Sequence, residues 1–446
     1  MGAGLTGLTL AYYLRKSGLK VLVFEKQERA GGVIRTLREK GFVYETGPNT
    51  GILGNPQVIQ LFSDLWPDCT LEIADEKAKK RLIWKDGRWH CLPSGLLEAV
   101  RTPLFTFGDK FRILGEPLRR KGQDPMESLS GLVKRRMGKS FLEYAVDPFI
   151  SGIYAGDPDR LITRFALPKL YKLEQTYGSF IGGALKKKIL EKEQTPAREV
   201  FSVAGGLENL VLALEKSIGQ EHIICGATQT SVETLGSEGY RIYATVNGSD
   251  HMAEAPVLIS TIGSYALPDL FPSIPRAEFN AIASLEYARV VQVVLGFRHW
   301  KGANIKAFGG LVPSREQRHI LGVLFPSSFL SDRAPEGGAL LNVFLGGMRH
   351  PGYYDLGDDQ ILEMVKVEVM DMMRMPDYDP ELEKVFRYRH AIPQYMADSE
   401  SRIKAIGRLQ ENYPGLILAG NIHEGIGMAD RVAQAVRIAE AVVDSQ

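Results

Sequence analysis

A glycine-rich turn at the start of the sequence restricts the fold more than any other feature. Gly2, Gly4 and Gly7 in MGAGLTGLTL form G-x-G-x-x-G. The first glycine permits a tight turn, the second lets backbone approach a pyrophosphate, and the third lets a helix pack on a strand. The following LTLAYYLRKSG has helical spacing and a glycine stop. SGLKVLVFEK is a short apolar run ending in Glu25, the pattern of a buried parallel strand. Glu25 stands 18 residues after Gly7, close to the ~20-residue offset at which an acid accepts hydrogen bonds from ribose hydroxyls. Loop, helix, strand and acid predict a dinucleotide-binding fold of the α/β (α+β) class. The motif alone leaves NAD and FAD open, because both carry the same ADP half.

In that fold the strand before the loop is central and buried on both faces. Only Met1 precedes Gly2, so the sequence predicts a gap in the middle of the sheet, with backbone donors and acceptors lacking partners. The expectation drawn from this is a true start lying upstream. The chain as written would then be unstable and poor in cofactor, and about six added apolar residues, a usual strand length, would restore both.

With 446 residues, 44% of them hydrophobic, the chain can bury a large core divided into two or three lobes. Lys and Arg number 54 against 53 Asp and Glu, which gives no reason to expect nucleic acid as a partner. Cys69, Cys91 and Cys225 form no C-x-x-C pair and fit a reducing compartment. No secretory leader is legible and no apolar run approaches the ~18 residues of a membrane span. A cytoplasmic location is therefore expected. From Glu76 to Ser140, however, 16 Lys/Arg face 7 Asp/Glu. That excess reads as a solvated face or as a surface for anionic lipid or an acidic substrate. Within it, SGLLEAVRTPLFTFG and DKFRILGEPLRRKG alternate apolar side chains with cations. This suits a helix lying on the inner face of a membrane, although an ordinary core helix has the same pattern.

Further strands are predicted in RIYATVNG, APVLISTIGSYAL, ARVVQVVLGF and GLILAG, and a last helix in ADRVAQAVRIAEAVV. The middle of the chain reads as helices broken by Gly and Pro. The predicted division is a discontinuous nucleotide-binding domain over 1–75, 201–268 and 400–446, a substrate-binding domain over 76–90 and 269–399, and a helical, membrane-facing domain over 91–200.

ERAGGVIRT and GFVYETGPNT, with the doublet Gly31-Gly32 and the turn Gly47-Pro48, resemble the FAD-binding lobe of the flavin amine oxidase superfamily. DPFISGIYAGDPDRL, FALPKLYKLEQTYGSFIGG, FSVAGGLENL, FGGLVPSREQRHILGVLFPSSFLSDRAPEGG, AIPQY and GLILAGNIHEGIGMADRV extend the likeness over essentially the whole chain. Within the superfamily they are most similar to the oxygen-dependent protoporphyrinogen oxidase family. The resemblance implies that Gly2, Ala3, Gly4, Leu5, Thr6 and Gly7 hold the FAD pyrophosphate and that Glu25 and Lys26 meet the adenosine ribose. Gly31, Gly32 and Val33 would then continue the cradle, and Gly47, Pro48, Asn49 and Thr50 would lie along the flavin. Val232 would offer backbone to the adenine, where a core valine is the competing reading. Ile426, Gly427 and Met428 would close over the isoalloxazine, where the positive end of the last helix stabilises charge on reduced flavin. Val33 replaces a residue that is often basic, and His423 replaces a common aromatic. No cysteine follows Cys225, so the FAD is expected to be non-covalent.

The resemblance further implies oxidation of protoporphyrinogen IX to protoporphyrin IX in three two-electron steps, with molecular oxygen as acceptor; no residue of the sequence stands out as a catalytic base. Arg81 matches the family arginine that pairs with a substrate propionate, and Leu311, Phe325 and Leu345 are candidates for pocket wall and equally for plain core. No metal is expected, and the oligomeric state is open. Three alternatives stand beside this reading. Coproporphyrinogen III oxidation would want further basic residues. Another amine oxidase or desaturase activity is a second, although a polyamine site would want an acidic entrance. A non-catalytic FAD-binding protein is the third.

Overall fold

The computed structural model describes residues 1–93, 95–190 and 199–445. Ser94, inside the basic amphipathic stretch, and 191–198, at the end of the expected helical domain, lie outside the described residues.

The first helix, Leu5–Lys16, buries Leu8, Leu10, Ala11 and Leu14. Leu10 and Leu14 pack against Ala435, Ala439 and Val442 of the last helix, Met428–Asp444, while Leu8 and Ala11 face Val23, Leu210 and Leu214. The two ends of the chain thus form one layer. Beneath them run two parallel strand pairs: Val23–Phe24 with Ile223–Ile224, and Leu258–Ser260 with Leu416–Leu418. The strand expected over SGLKVLVFEK shrinks to Val23 and Phe24, because its neighbour supplies just two partners. Met1 and Gly2 bridge the pairs: the Met1 amine donates to Ile259 O at 2.7 Å, Thr261 N to Met1 O at 2.9 Å, and Gly2 N to Phe24 O at 2.8 Å.

The second body is a seven-stranded sheet in the order Leu382–Pro393, Tyr287–Phe297, Ala339–Gly346, Ile320–Leu324, Gly309–Leu311, Arg81–Lys85, Arg88–Cys91. Alternation of side chains gives it two faces. Val291, Val293 and Leu295 pack with Leu341, Val343 and Leu345 against Ile361, Val365 and Val369 of the helix Asp358–Met372. On the opposite face Val294 and Leu340 meet Phe42 and Tyr44 of the hairpin Thr36–Glu39/Phe42–Glu45, so that hairpin covers this end of the face.

Short helices follow over residues 96–190. Their centre is ionic: Arg136, fully buried, donates to Glu116 Oε1 at 2.5 Å, Glu174 Oε1 at 2.9 Å and Gly178 O at 2.7 Å. Ser179 Oγ donates to the second Glu116 oxygen at 2.6 Å. The helix Phe107–Leu114 starts from a Thr106–Asp109 capping box and buries no residue. Phe107, Phe111 and Leu114, in helical register, and Leu118 of the following 3-10 turn are 67–91% exposed. Among the described residues no helix is long and apolar enough to cross a membrane.

Candidate active site

Steric detail explains the glycines of the first turn. A Cβ on Gly7 would lie 1.9 Å from Gly2 O, so only glycine lets the helix start this close to the turn. A Cβ on Gly4 would meet nothing within 4 Å. Gly4 is also the N-cap of the helix, and no side chain caps its amides. The turn therefore presents open space, free amides and the positive end of a helix, the three requirements of a pyrophosphate. Ala3, Leu5 and Thr6 are buried around it.

Glu25 is 9% exposed and fixed from both sides: Oε2 accepts from Ala3 N at 2.7 Å and Oε1 from Gln27 N at 2.9 Å. Each oxygen keeps a lone pair for a ribose hydroxyl. Lys26 projects outward, exposed. Gly31 N donates to Ala3 O at 2.8 Å, and a Cβ on Gly32 would come within 3.3 Å of Gly4 Cα, so the doublet lies against the turn. Val33 is 58% exposed, but its carbonyl would be 2.0 Å from a Cβ on Gly47. This contact joins Gly31–Val33 to Gly47–Thr50. The basic group in this loop is Arg29, which donates to Ala30 O, Ile34 O and Gly32 O at 2.8–2.9 Å. Sequence reading looked for a cation at position 33 and missed it.

The Gly47–Thr50 turn is anchored by Glu45. Its carboxylate accepts from Leu207 N at 2.8 Å and Thr36 Oγ1 at 2.9 Å, and burial pushes it up to about 7. Glu45 O accepts from Gln292 Nε2 at 2.8 Å. Asn49 Nδ2 donates to Gly47 O at 3.2 Å, and Asn49 Oδ1 accepts from Asn342 Nδ2. Two amides of the seven-stranded sheet thus grip this turn.

At the other end of the chain Gly427 is the N-cap of the last helix, its N donating to Asp430 Oδ2 at 3.2 Å. Asn55 Nδ2 donates to Ala429 O at 2.8 Å, which ties Ile426–Met428 to the segment after Thr50. Ile426 packs beside Leu161 and Tyr395, and Met428 sits in the core beneath the first turn. Buried Arg431 donates to Glu424 O and to Gln434 Oε1, shaping the preceding loop; His423 is half-buried there. Val232 is fully buried with Phe24, Ala227 and Ile242, so its side chain is core, on an outer strand of its sheet.

The sheet face toward this assembly has a definite composition. Arg81, Gly309, Leu324, Asn342, Val294 and Lys384 are successive cross-strand partners in one row. The adjacent row on that face runs Ile83, Leu311, Gly322, Phe344, Gln292. Leu311, Leu324 and Phe344 are half-buried, in strands otherwise buried. Phe325 and Leu345 are at most 1% exposed and belong to the core against the helix Asp358–Met372. Of the two readings open for them, wall or plain core, the core reading holds; Leu324 and Phe344, each one residue away, are the half-buried ones. Lys384 pairs with Glu39 at 2.9 Å. Arg81 has no carboxylate partner among the described residues; its guanidinium lies 5.7 Å from the Phe308 ring. Among the described residues no group of three or more His, Cys, Asp or Glu could hold a metal.

The chemistry of this assembly suits an extended dinucleotide with a flat ring at its far end. It offers a buried carboxylate with spare lone pairs, free amides at a helix N-terminus and a close-packed glycine turn, and a largely apolar sheet face stands opposite. FAD fits these groups and supplies two-electron redox chemistry when bound.

The whole-chain comparisons agree. The model of the family described as flavin containing amine oxidoreductase matches residues 5–443. Mitochondrial protoporphyrinogen oxidase of Nicotiana tabacum is 29% identical over 478 aligned positions, covering 99% of this chain and 94% of that one. Coproporphyrinogen III oxidase of Bacillus subtilis (strain 168) is 26% identical, covering 97% and 95%. A crystal structure from Exiguobacterium sp. 255-15, provisionally named protoporphyrinogen oxidase, superposes with a TM-score of 0.82 at 23% identity over 100% of this chain and 98% of that one. That likeness carries the fold, and together with the match over 5–443 it leaves one conclusion: the chain belongs to the flavin containing amine oxidoreductase family, and its cofactor is FAD.

Proposed function

We propose that the chain oxidises protoporphyrinogen IX to protoporphyrin IX, with non-covalent FAD as hydride acceptor and molecular oxygen as the final oxidant. Removing six hydrogens takes three turns of the cofactor, so three O2 leave as three H2O2. The observation that carries this reading is the sheet face opposite the Gly47–Thr50 turn: half-buried Leu311, Leu324 and Phe344, with the cation Arg81, unpaired among the described residues, at one end. A flat apolar ring with anionic arms matches that distribution. Full-length similarity to proteins named protoporphyrinogen oxidase supports it.

On this reading Gly2–Gly7 take the pyrophosphate, Glu25 the ribose, and Gly47–Thr50 with Ile426–Met428 flank the isoalloxazine. Arg81 holds a propionate, Leu324 and Phe344 sandwich the macrocycle, and the walls exclude water. With the domain boundaries expected from the sequence, these groups fall at the junction of the nucleotide-binding and substrate-binding domains. The face carries one unpaired cation among the described residues, which favours a substrate with two carboxylates over coproporphyrinogen with four. The exposed stripe Phe107, Phe111, Leu114, Leu118, with Arg112 and Arg119 beside it, is read as a peripheral contact with an anionic bilayer.

The test is anaerobic preparation of protoporphyrinogen and coproporphyrinogen, addition to the FAD-loaded protein in air, and measurement of porphyrin fluorescence and peroxide. Three peroxides per porphyrin and a higher kcat/KM for protoporphyrinogen are expected. Arg81→Ala should weaken kcat/KM by about 1.5–3 kcal/mol, the range for a bond to a charged group, with FAD content unchanged. No turnover of either porphyrinogen would refute the reading.

A further inference from the structure

Asn342 is the single polar residue of the strand Ala339–Gly346, whose sequence is ALLNVFLG, and it is 0% exposed. Its amide orientation follows from its neighbours. Asn49 Nδ2 is committed to Gly47 O, which turns Asn49 Oδ1 toward Asn342; only the Nδ2 of Asn342 can answer it. Asn342 Oδ1 is thereby aimed away from Asn49, and it has no hydrogen-bond partner. A buried carbonyl of this kind, without a donor, destabilises the fold, and native structures rarely keep one unless something fills the need. Gln292, the other buried amide of this face, has no such orphan: its Nε2 donates to Glu45 O, and its oxygen is not left buried and unpartnered.

The position of the orphan says what it awaits. Asn342 is the direct cross-strand partner of Leu324, lies two residues before Phe344 on the same face, and stands in the row that begins at Arg81. Three strand spacings separate it from Arg81, about 14 Å at the usual spacing. A tetrapyrrole with one propionate on Arg81 and its rings between Leu324 and Phe344 brings its centre toward this oxygen. The centre of a porphyrinogen offers four pyrrole N–H donors and no acceptor. We propose that Asn342 Oδ1 accepts a hydrogen bond from a pyrrole N–H of the reduced macrocycle and so fixes its rotation over the flavin. This inference rests on the porphyrinogen reading above and names the group that would orient the substrate. It also gives the site a preference for the reduced ring, because the oxidised product keeps two of the four N–H groups and turns the other two nitrogens into acceptors, which an amide oxygen does not satisfy.

The test compares Asn342→Leu with Asn49→Leu in the FAD-loaded enzyme. Both changes remove the amide-to-amide bond, but only the first removes the orphan oxygen. Expected for Asn342→Leu is a 5- to 30-fold rise, roughly, in KM for protoporphyrinogen, with any change in the visible flavin spectrum or the reduction potential of the substrate-free protein no larger than in Asn49→Leu, which loses the same amide-to-amide bond. Asn49→Leu should alter the flavin spectrum and raise KM less. The proposal is overturned if Asn342→Leu leaves KM within twofold of the parent. It is equally overturned if Asn49→Leu raises KM as much, which would assign the effect to the amide pair. A potential shifted further in substrate-free Asn342→Leu than in Asn49→Leu would make the flavin the donor and overturn it as well. If the parent enzyme neither binds nor oxidises any porphyrinogen, the functional reading falls and this inference with it, an outcome separate from the preceding three.

Discussion

Replacing Glu25 by glutamine tests whether the acid after the first strand holds the nucleotide. In the parent, Oε2 takes Ala3 N at 2.7 Å and Oε1 takes Gln27 N at 2.9 Å. A glutamine has one oxygen, so one of these amides would face an NH2 group and lose its acceptor. A hydrogen bond to a charged group is worth about 1.5–3 kcal/mol, and the ribose loses a charged acceptor in the same step. Taking about 3 kcal/mol for the combined loss in FAD binding, the dissociation constant rises on the order of 100-fold. The assay is titration of apoprotein with FAD, followed by quenching of flavin fluorescence, with circular dichroism to establish that both apoproteins are equally folded at that temperature. Glu25→Gln binding FAD within about threefold of the parent would refute the reasoning, since a carboxylate with two backbone bonds and a ribose cannot be neutralised without consequence.

Arg136→Met should destabilise the chain by about 3–5 kcal/mol in chemical denaturation, because it strands the buried carboxylate of Glu116 without its cation and leaves Glu174 with Arg135 alone; an unchanged midpoint would contradict this. Glu45 is pushed up to about 7 from an unfolded value of 4.5, so the folded state favours its protonated form. Stability relative to Glu45→Gln should therefore be greatest below pH 4.5 and fall as pH rises through 7, by roughly 1.4 kcal/mol for each pH step of one between those two values; parallel pH profiles for the two proteins would count against it. Co-sedimentation with anionic vesicles at low salt should fall at least tenfold, roughly, in Phe111→Asp, the cost of denying burial to one phenylalanine. Equal sedimentation would remove Phe111, 74% exposed, from any lipid contact.

How much of this was legible in the sequence depends on whether a residue acts through its own backbone or through its neighbours. The G-x-G-x-x-G turn could be read directly, because Gly7 is required by a contact with Gly2 five residues away, and short-range sterics survive in a linear pattern. Glu25 was legible for the same reason: it ends a strand at a distance that the intervening helix fixes. Met1 and Gly2 show the limit. A gap in the sheet followed from counting residues, but the bridging bonds to Ile259, Thr261 and Phe24 depend on how two strand pairs approach, and no local pattern records that. Arg29 was overlooked because its guanidinium serves three carbonyls of its own loop, a geometry that a positional comparison at Val33 could not express.

The half-buried residues proposed as walls lie a single residue from two of the sequence candidates, and the reason is physical. In a strand buried on both faces the apolar residues run without alternation, as in ILGVL or ALLNVFLG, so hydropathy carries no parity. Phe325 and Leu345 look as suitable as Leu324 and Phe344 until the register assigns each to a face. One polar residue could have broken the tie. Asn342 interrupts an apolar strand, and a buried amide must find partners, which in a sheet means the face where polar groups wait. Asn342 meets Asn49 on the side of the flavin turn. Residues an even number of positions away, Leu340 and Phe344, share that side, and Leu345 does not. Counting outward from the lone asparagine would have assigned the faces of that strand from the sequence, and the same count applies to any two-sided buried strand that carries one unexplained amide.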